Sequence, residues 1–343
     1  MTRLDATYLL EPLVLAAGFA SLTGLALASA AGLVAALRHR PVLDVAGRWV
    51  VVTGCDSGIG EGVAATLAAR GAKVIACCLT DEGAAAAVAA GAACAQRFDL
   101  TDEEAIVRAA REIESLCGGS LWALVHNAGV VLPGFVDYLP MSFFRDVMEV
   151  NYFAPVRLTK ALLPSVRRGG GRVVFVSSVD GIVSLPGNAA YDASKFAIEG
   201  YADALRAELS FGSIEVSVVN PATMRTPLAM GFFEAHRRAW EASDRLDPDG
   251  DWKAIYPKSW LDDYVHANAA NLDFIAQDPS LAVLDIVHAV TAVRPRHRYL
   301  SGTLAKTVFY ALWVAPESWA LAFKRATIRP SPPGTPIPKP LTP

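Results

Sequence analysis

Tyr191 and Lys195 stand four residues apart in the run Tyr191-Asp192-Ala193-Ser194-Lys195. On a helix that spacing puts both side chains on one face. A phenol with an ordinary pKa near 10 is a poor base at neutral pH. A neighbouring ammonium stabilises the phenolate, so the pair reads as a general acid/base. Alone, the pattern Y-x-x-x-K is common, and a solvated helix face explains it equally well. Ser178 adds context. It lies thirteen residues before Tyr191, at the end of the apolar run Arg172–Ser177. In a parallel sheet, residues at the carboxyl ends of strands face the ligand crevice, where a hydroxyl can hold a reacting oxygen. The plainer alternative is a capping or turn serine, a role that Ser177 also fits. Asn151, inside the helical run Met148–Lys160, either holds a water that links Lys195 to solvent or bridges two backbone groups.

A second motif precedes these residues. Thr53-Gly54-Cys55-Asp56-Ser57-Gly58-Ile59-Gly60 follows a short β-branched run and opens an Ala-rich helical one. Glycines there let the backbone bend and approach a pyrophosphate, and the helix N-terminus offers free N–H groups. Gly54, Asp56, Ser57, Gly58, Ile59 and Gly60 are therefore candidate dinucleotide ligands, and Lys195 gains a second use as donor to a ribose hydroxyl. Nucleotide discrimination usually rests on an acidic residue for the 2′-hydroxyl or an arginine for a 2′-phosphate after the second strand. Here that turn reads Cys77-Cys78-Leu79-Thr80, with neither device. The missing basic residue favours NAD and leaves NADP open.

These motifs need a frame, and the chain from Gly47 supplies one. Strands are expected at Trp49–Thr53, Lys73–Leu79, Ala93–Phe98, Leu121–His126, Arg172–Ser177 and Ile214–Asn220. Helices are expected at Glu61–Arg70, Asp81–Ala90, Thr101–Leu116, 141–167 and 192–210, with Thr101 or Asp102 capping the third. Continuous apolar strands alternating with helices imply an α/β fold with a doubly wound parallel sheet, Rossmann-like. From Met224 to Phe274 the rhythm breaks into an aromatic-rich insertion. It reads as a lid, with a peripheral helix pair packed on the domain as the alternative.

The 343 residues suit one α/β domain of about 250–280 residues with appendages. Hydrophobic residues make up 53% and charged residues 19%, which points towards membrane contact. A net charge of −3 offers no basic footprint for nucleic acid. Five cysteines, with no C-x-x-C, read as ordinary thiols in a reducing compartment, and no metal site is expected. Pro12 to Leu37 runs 26 residues without a charge, enough to span a bilayer as an uncleaved anchor. Ala28-Ser29-Ala30 resembles a cleavage site, but the apolar run is long for a signal peptide, and Asp5 and Glu11 spoil the basic leader. Arg38 and Arg40 after the span, against Arg3 before it, put the catalytic domain on the cytosolic side. The organisation expected is an anchor and linker at 1–45, a dinucleotide-binding catalytic domain at 46–325 and a proline-rich tail at 326–343. Within the catalytic domain lie a lid at about 224–274 and a helix on the membrane surface at about 304–324.

Together, TGCDSGIG, the HNAG at 126–129, Asn151, Ser178 and YDASK at 191–195 resemble the short-chain dehydrogenase/reductase superfamily. The likeness covers about residues 46–230. TGCDSG, KVIACCLTDEGA, MEVNYFAPVRLTKALLP and RPRHRYLSG extend it to the membrane-bound retinol and hydroxysteroid dehydrogenases, a group that includes 11β- and 17β-hydroxysteroid dehydrogenases and is similar to 3-hydroxybutyrate dehydrogenase. The resemblance implies hydride transfer between NAD(P) and a lipophilic alcohol or ketone. It makes Tyr191 the acid/base, Lys195 its activator and ribose ligand, Ser178 the substrate-oxygen ligand and Asn151 the proton-relay residue. It also puts Asp99 at the adenine, Asn127 at the adenosine ribose and Thr226 at the carboxamide, with Ala128, Gly129 and Pro221 as further cofactor contacts. An endoplasmic reticulum membrane and pairing into a homodimer belong to the same implication, with a mitochondrial or bacterial membrane as alternatives. His126 and Ala222 depart from the family pattern, and His126 is expected to be structural.

Two other readings compete. A small hydroxy-acid dehydrogenase needs a cation for the substrate carboxylate, and Arg225 is the nearest candidate. A non-catalytic nucleotide-binding membrane protein needs only the glycine turn, which leaves Asn151, Ser178, Tyr191 and Lys195 without a purpose.

Overall fold

A computed structural model describes residues 42–212 and 214–333. The expected anchor at 12–37 and most of the proline-rich tail lie outside the described residues. Among the described residues no helix is long and apolar enough to cross a membrane. Two units separate: a small one, whose described residues 42–43 and 292–294 share the antiparallel bridge Val42–Ala292, and a large one that carries everything below.

Seven strands form one sheet: β1 (Trp49–Thr53), β2 (Lys73–Cys78), β3 (Cys94–Arg97), β4 (Ala123–His126), β5 (Arg172–Val176), β6 (Glu215–Pro221) and β7 (Arg298–Ser301). Their order is β3-β2-β1-β4-β5-β6-β7 and every pairing is parallel. The chain leaves β1 towards β2 on one side and returns to β4 on the other. That reversal opens a crevice at the carboxyl ends of β1 and β4, the place where doubly wound sheets bind ligands. Val50, Val51, Val52, Val173, Val174 and Phe175 are almost fully buried because helices cover both faces of the sheet.

The helices that cover it are α1 (Gly58–Ala69), α2 (Asp81–Ala89), α3 (Glu103–Leu116), α4 (Met141–Met148), α5 (Ala154–Gly169) and α6 (Ala189–Leu209), with α11 (Ser280–Thr291) later in the chain. Leu158, Leu162 and Val166 of α5 and Ile198, Ala202 and Leu205 of α6 pack on the sheet through one continuous apolar cluster with Ile106 and Ile113 of α3. Asp102, rather than Thr101, caps α3: its Oδ1 accepts from Ala105 N at 3.0 Å. Asp102→Ala is therefore expected to cost about 1 kcal/mol of stability, read as a lower denaturant midpoint at unchanged slope.

The helix expected over 141–167 runs on as α4 and α5 through a π-helical stretch at Glu149–Phe153 that contains Asn151. The insertion folds as α7 (Pro227–Met230), α8 (Phe232–Leu246), α9 (Trp252–Ile255) and α10 (Lys258–Ile275). Trp240, Trp252, Tyr256, Trp260 and Tyr264 are buried with Phe135 and Tyr138 in a cluster of their own, and Phe232, Phe233 and Tyr264 line the cavity along the sheet edge. The expected single helix at 304–324 is broken. A π-turn at Ala305–Phe309 runs into α12 (Tyr310–Val314), and α13 (Glu317–Ala326) starts afresh after Pro316, whose ring cannot continue a helix.

Candidate active site

The turn between β1 and α1 is built for close approach. A Cβ at Gly60 would stand 2.0 Å from the Gly54 carbonyl oxygen, and one at Gly54, where φ is +69°, would stand 2.8 Å from the Ala128 Cα. Asn127 clasps the bend, its Nδ2 donating to the Thr53 carbonyl at 2.9 Å and to the Gly54 carbonyl at 3.1 Å. Ser57, at the head of α1, makes no side-chain cap bond, whereas Thr80 and Asp102 cap their own helices. Helix N–H groups without an internal acceptor at a positive dipole end suit an anion. The turn therefore fits the pyrophosphate of a dinucleotide.

The Asp56 side chain is engaged within the protein. Its carboxylate accepts from Leu79 N at 3.0 Å and Thr80 N at 2.9 Å, which ties the glycine turn to the loop after β2. Burial raises the Asp56 pKa, but the bonds from Leu79 and Thr80 outweigh it, and the net shift is downward. Asp99 accepts from Thr101 N and Oγ1 at 2.8 and 2.9 Å, and its residue lines the cavity beside Phe98 and Leu100.

One cavity of about 660 Å³ runs from this turn along the carboxyl edge of the sheet. Gly54, Asp56, Ser57, Gly58 and Ile59 line one end, with Asn127, Ala128 and Gly129 beside them. Ser178, Tyr191, Lys195, Pro221 and Thr226 line the other. Gly60 and Asn151 stand behind the wall, the first as a spacer and the second as a brace.

Ser178 lies just past the end of β5 and caps the short turn that follows, its Oγ accepting from Asp180 N at 3.0 Å. The capping role is therefore real for Ser178, and it coexists with cavity exposure. Ser177 is buried, and its Oγ has no partner. Lys195 is 4% exposed and donates from Nζ to the Val176 carbonyl at 2.9 Å, 5.4 Å from the centre of the Tyr191 ring. Burial pushes its pKa down to about 8, against the opposing pull of Glu199 and Asp180. Asn151 spends both amide hydrogens inside the protein, on Val130 O and Ser194 Oγ at 2.9 Å each, and its Oδ1 accepts from Val130 N at 2.8 Å. It thus bridges the backbone of Val130 to α6.

The balance at Tyr191 differs from the sequence expectation. Burial holds the phenol above its ordinary pKa, the Asp180 charge adds to that, and the Ser178 hydroxyl opposes both. The lysine is directed at a carbonyl rather than at the phenol, so the expected lowering by its ammonium does not dominate. His126 is structural: its Nε2 lies 2.8 Å from Thr159 Oγ1, its ring stacks on Phe175, and burial pushes its pKa down to about 3. The five cysteines are free thiols, and burial raises the pKa of each.

A seven-stranded parallel sheet with a phosphate turn at its switch point, and a serine, tyrosine and lysine on the same cavity, defines a dinucleotide-dependent oxidoreductase. Residues 48–237 match the family model described as short chain dehydrogenase, and the chain belongs to that family of NAD(P)-dependent dehydrogenases. It is 35% identical to human retinol dehydrogenase 16 over 286 residues, covering 81% of this chain and 88% of the relative. It is 32% identical to bovine 17-beta-hydroxysteroid dehydrogenase type 6 over 290 residues, covering 82% and 90%. Among solved structures, a short-chain dehydrogenase from Streptomyces avermitilis superposes with a TM-score of 0.62 at 26% identity, covering 82% of this chain and 97% of that one.

Proposed function

We propose that this chain oxidises or reduces a lipophilic alcohol/ketone pair of the hydroxysteroid or retinol type, with Tyr191 as the acid/base. The observation that carries this reading is the single cavity that holds the glycine turn at one end and Ser178, Tyr191 and Lys195 at the other. A dinucleotide bound there supplies the hydride acceptor or donor. Ser178 holds the substrate oxygen, Tyr191 takes or gives its proton, and Lys195 supplies positive charge beside the phenol and a donor for the ribose. Asn151 holds the Val130 backbone and α6 in register, which places the tyrosine. Positioning contributes much of the acceleration in such a site.

The lining supports an apolar substrate. Leu228, Phe232, Phe233, Tyr264, Leu272 and Phe309 enclose the cavity beyond the polar groups. A hydroxy-acid substrate fits less well. Arg225, its expected anchor, is half-exposed and already paired with the Asp273 carboxylate, and it also donates to the Asp273 carbonyl at 2.6 Å. Asp180 meanwhile puts a carboxyl on the cavity wall. NAD is favoured on the same ground: Cys77, Cys78 and Leu79 line the adenosine end, and the Asp56 carboxylate lies beside them, where a 2′-phosphate would be repelled.

Membrane attachment supports delivery of such a substrate. Tyr310, Trp313, Val314, Trp319, Leu321 and Phe323 of α12 and α13 are exposed, with Lys306, Lys324 and Arg325 among them. Apolar and aromatic side chains interleaved with cations suit a bilayer surface. The reading therefore includes an anchored protein with its catalytic domain on the cytosolic side.

NADH formation measured over a panel of steroid alcohols, retinol and 3-hydroxybutyrate tests the substrate class. The lipophilic alcohols are expected to give kcat/KM at least about a hundredfold above 3-hydroxybutyrate, a difference of roughly 2.7 kcal/mol in transition-state binding. Preference for the hydroxy acid would overturn the reading.

A further inference from the structure

Two carboxyls lie beside the proposed acid/base and have no part in the scheme above. Asp180 is in the short turn after β5, partly exposed on the cavity wall. Asp192 follows Tyr191 on α6 and is 2% exposed. Asn188 stands between them, donating from Nδ2 to Asp180 Oδ2 at 3.2 Å, while its backbone carbonyl accepts from Asp192 N at 2.9 Å. Asp192 Oδ2 accepts from Leu185 N at 2.7 Å. Two oxygens are left over: Asp192 Oδ1 and Asn188 Oδ1 are both buried without a partner. Both are acceptors, and buried acceptors without a donor are costly. A proton on the pair supplies the donor that this group of atoms lacks. Two carboxylates on either side of one asparagine, the deeper of them buried, also resist ionising together.

We propose that Asp180 and Asp192 hold one proton between them across Asn188, and that the single negative charge left on the pair sets the ionisation of Tyr191. The coupling to Tyr191 rests on the catalytic reading; the shared proton does not. The electrostatics agree in direction. Burial and mutual repulsion raise the Asp192 pKa, with the Leu185 N–H, Lys324 and Asn188 opposing. Burial raises that of Asp180, with Asn188 and Lys195 opposing. The other ionisable groups facing the pair are Tyr191 on α6 and, against Gly187, the buried imidazole of His236 on α8, which burial keeps neutral. Lys195 in turn feels Glu199 as well as Asp180.

One charge is the useful number. With none, Lys195 loses a neighbour that keeps it an ammonium in a buried place. With two, the phenolate of Tyr191 is opposed twice. Asp180 and Asp192 are thus positioning residues, acting on substrate chemistry only through Tyr191 and Lys195.

Isosteric variants test this. Asp180→Asn and Asp192→Asn keep the hydrogen-bonding shape and remove one ionisable group each. Infrared spectroscopy at neutral pH, in light and heavy water, reads the protonated carboxyl directly and needs neither substrate nor cofactor. The wild-type protein should show a buried carboxylic acid band that Asp192→Asn abolishes, because Asp180 ionises once its partner is neutral. In the pH profile of alcohol oxidation, Asp180→Asn removes the carboxylate that opposes the phenolate most. Asp192, the deeper of the two, keeps its proton because burial rather than its partner is the main cause that holds it there. The acid limb should therefore move to lower pH, by about one unit. Asp192→Asn imitates the protonated partner and should leave that limb in place. A merely structural pair would lower the rate without moving the limb. Absence of the band in the wild type, or a limb that Asp180→Asn does not move, overturns the proposal. A protein that shows the band and loses it in Asp192→Asn, yet turns over no alcohol, supports the shared proton and overturns the catalytic reading instead.

Discussion

Tyr191→Phe is expected to lower kcat about a thousandfold or more while NADH still binds within about twofold of wild type. The substitution deletes one oxygen and leaves the ring, which lies 5.4 Å from Lys195 Nζ, in its packing. Lys195 keeps its bond to the Val176 carbonyl, and Ser178 keeps its bond from Asp180 N, so each retains an anchor that does not involve the phenol. What disappears is the hydroxyl proposed to exchange a proton with a substrate oxygen at Ser178. A thousandfold loss corresponds to roughly 4 kcal/mol of transition-state stabilisation, within the range that a positioned proton-transfer group supplies. Stopped-flow turnover and cofactor-fluorescence titration on the same preparation separate the two effects. Turnover that survives in this variant would remove Tyr191 from its role. Loss of binding alone would make the tyrosine a cofactor residue.

The sheet was readable because its strands are buried on both faces and so show as continuous Val, Ile and Leu runs, as in Trp49–Thr53. β7 was missed for the same reason in reverse: Arg298–Ser301 is four residues long, and only Tyr299 and Ser301 are buried. Leu121 and Trp122 were read as strand but lie just before it, where Leu121 N is taken by the Ser165 carbonyl, a partner on a distant helix. Candidate-site groups that are local in the chain were legible. Tyr191 and Lys195 are one helical turn apart, and the glycine turn is contiguous. What depends on three-dimensional neighbours was not. The π-turn around Asn151 has no pattern in the sequence, and the choice of Ser178 over Ser177 as the turn cap depends on where Asp180 N falls. The lysine's effect on the phenol was wrongly weighted because burial and the Asp180 charge, neither visible from spacing, outweigh a pair one turn apart.

Gly60→Ala carries the other large effect, on cofactor binding rather than on chemistry. A methyl there would meet the Gly54 carbonyl oxygen at 2.0 Å and Asn127 Nδ2 at 2.3 Å. Neither atom can step aside cheaply. The carbonyl is backbone, and the amide is held by the two carbonyls that it clasps. Relief requires the turn to open, and that displaces the same backbone that must approach the pyrophosphate. Dinucleotide affinity is therefore expected to fall at least about a hundredfold, roughly 2.7 kcal/mol, in a fluorescence titration. Gly200→Ala is the control, because a Cβ at Gly200 on α6 meets nothing within 4 Å. A helix-interior glycine replaced by alanine in open space should gain about 0.5–1 kcal/mol of stability and leave cofactor affinity unchanged. If Gly60→Ala bound the dinucleotide as the wild type does, the pyrophosphate would have to sit elsewhere. Ser178, Tyr191 and Lys195 would then lose the nicotinamide that their shared cavity is proposed to hold.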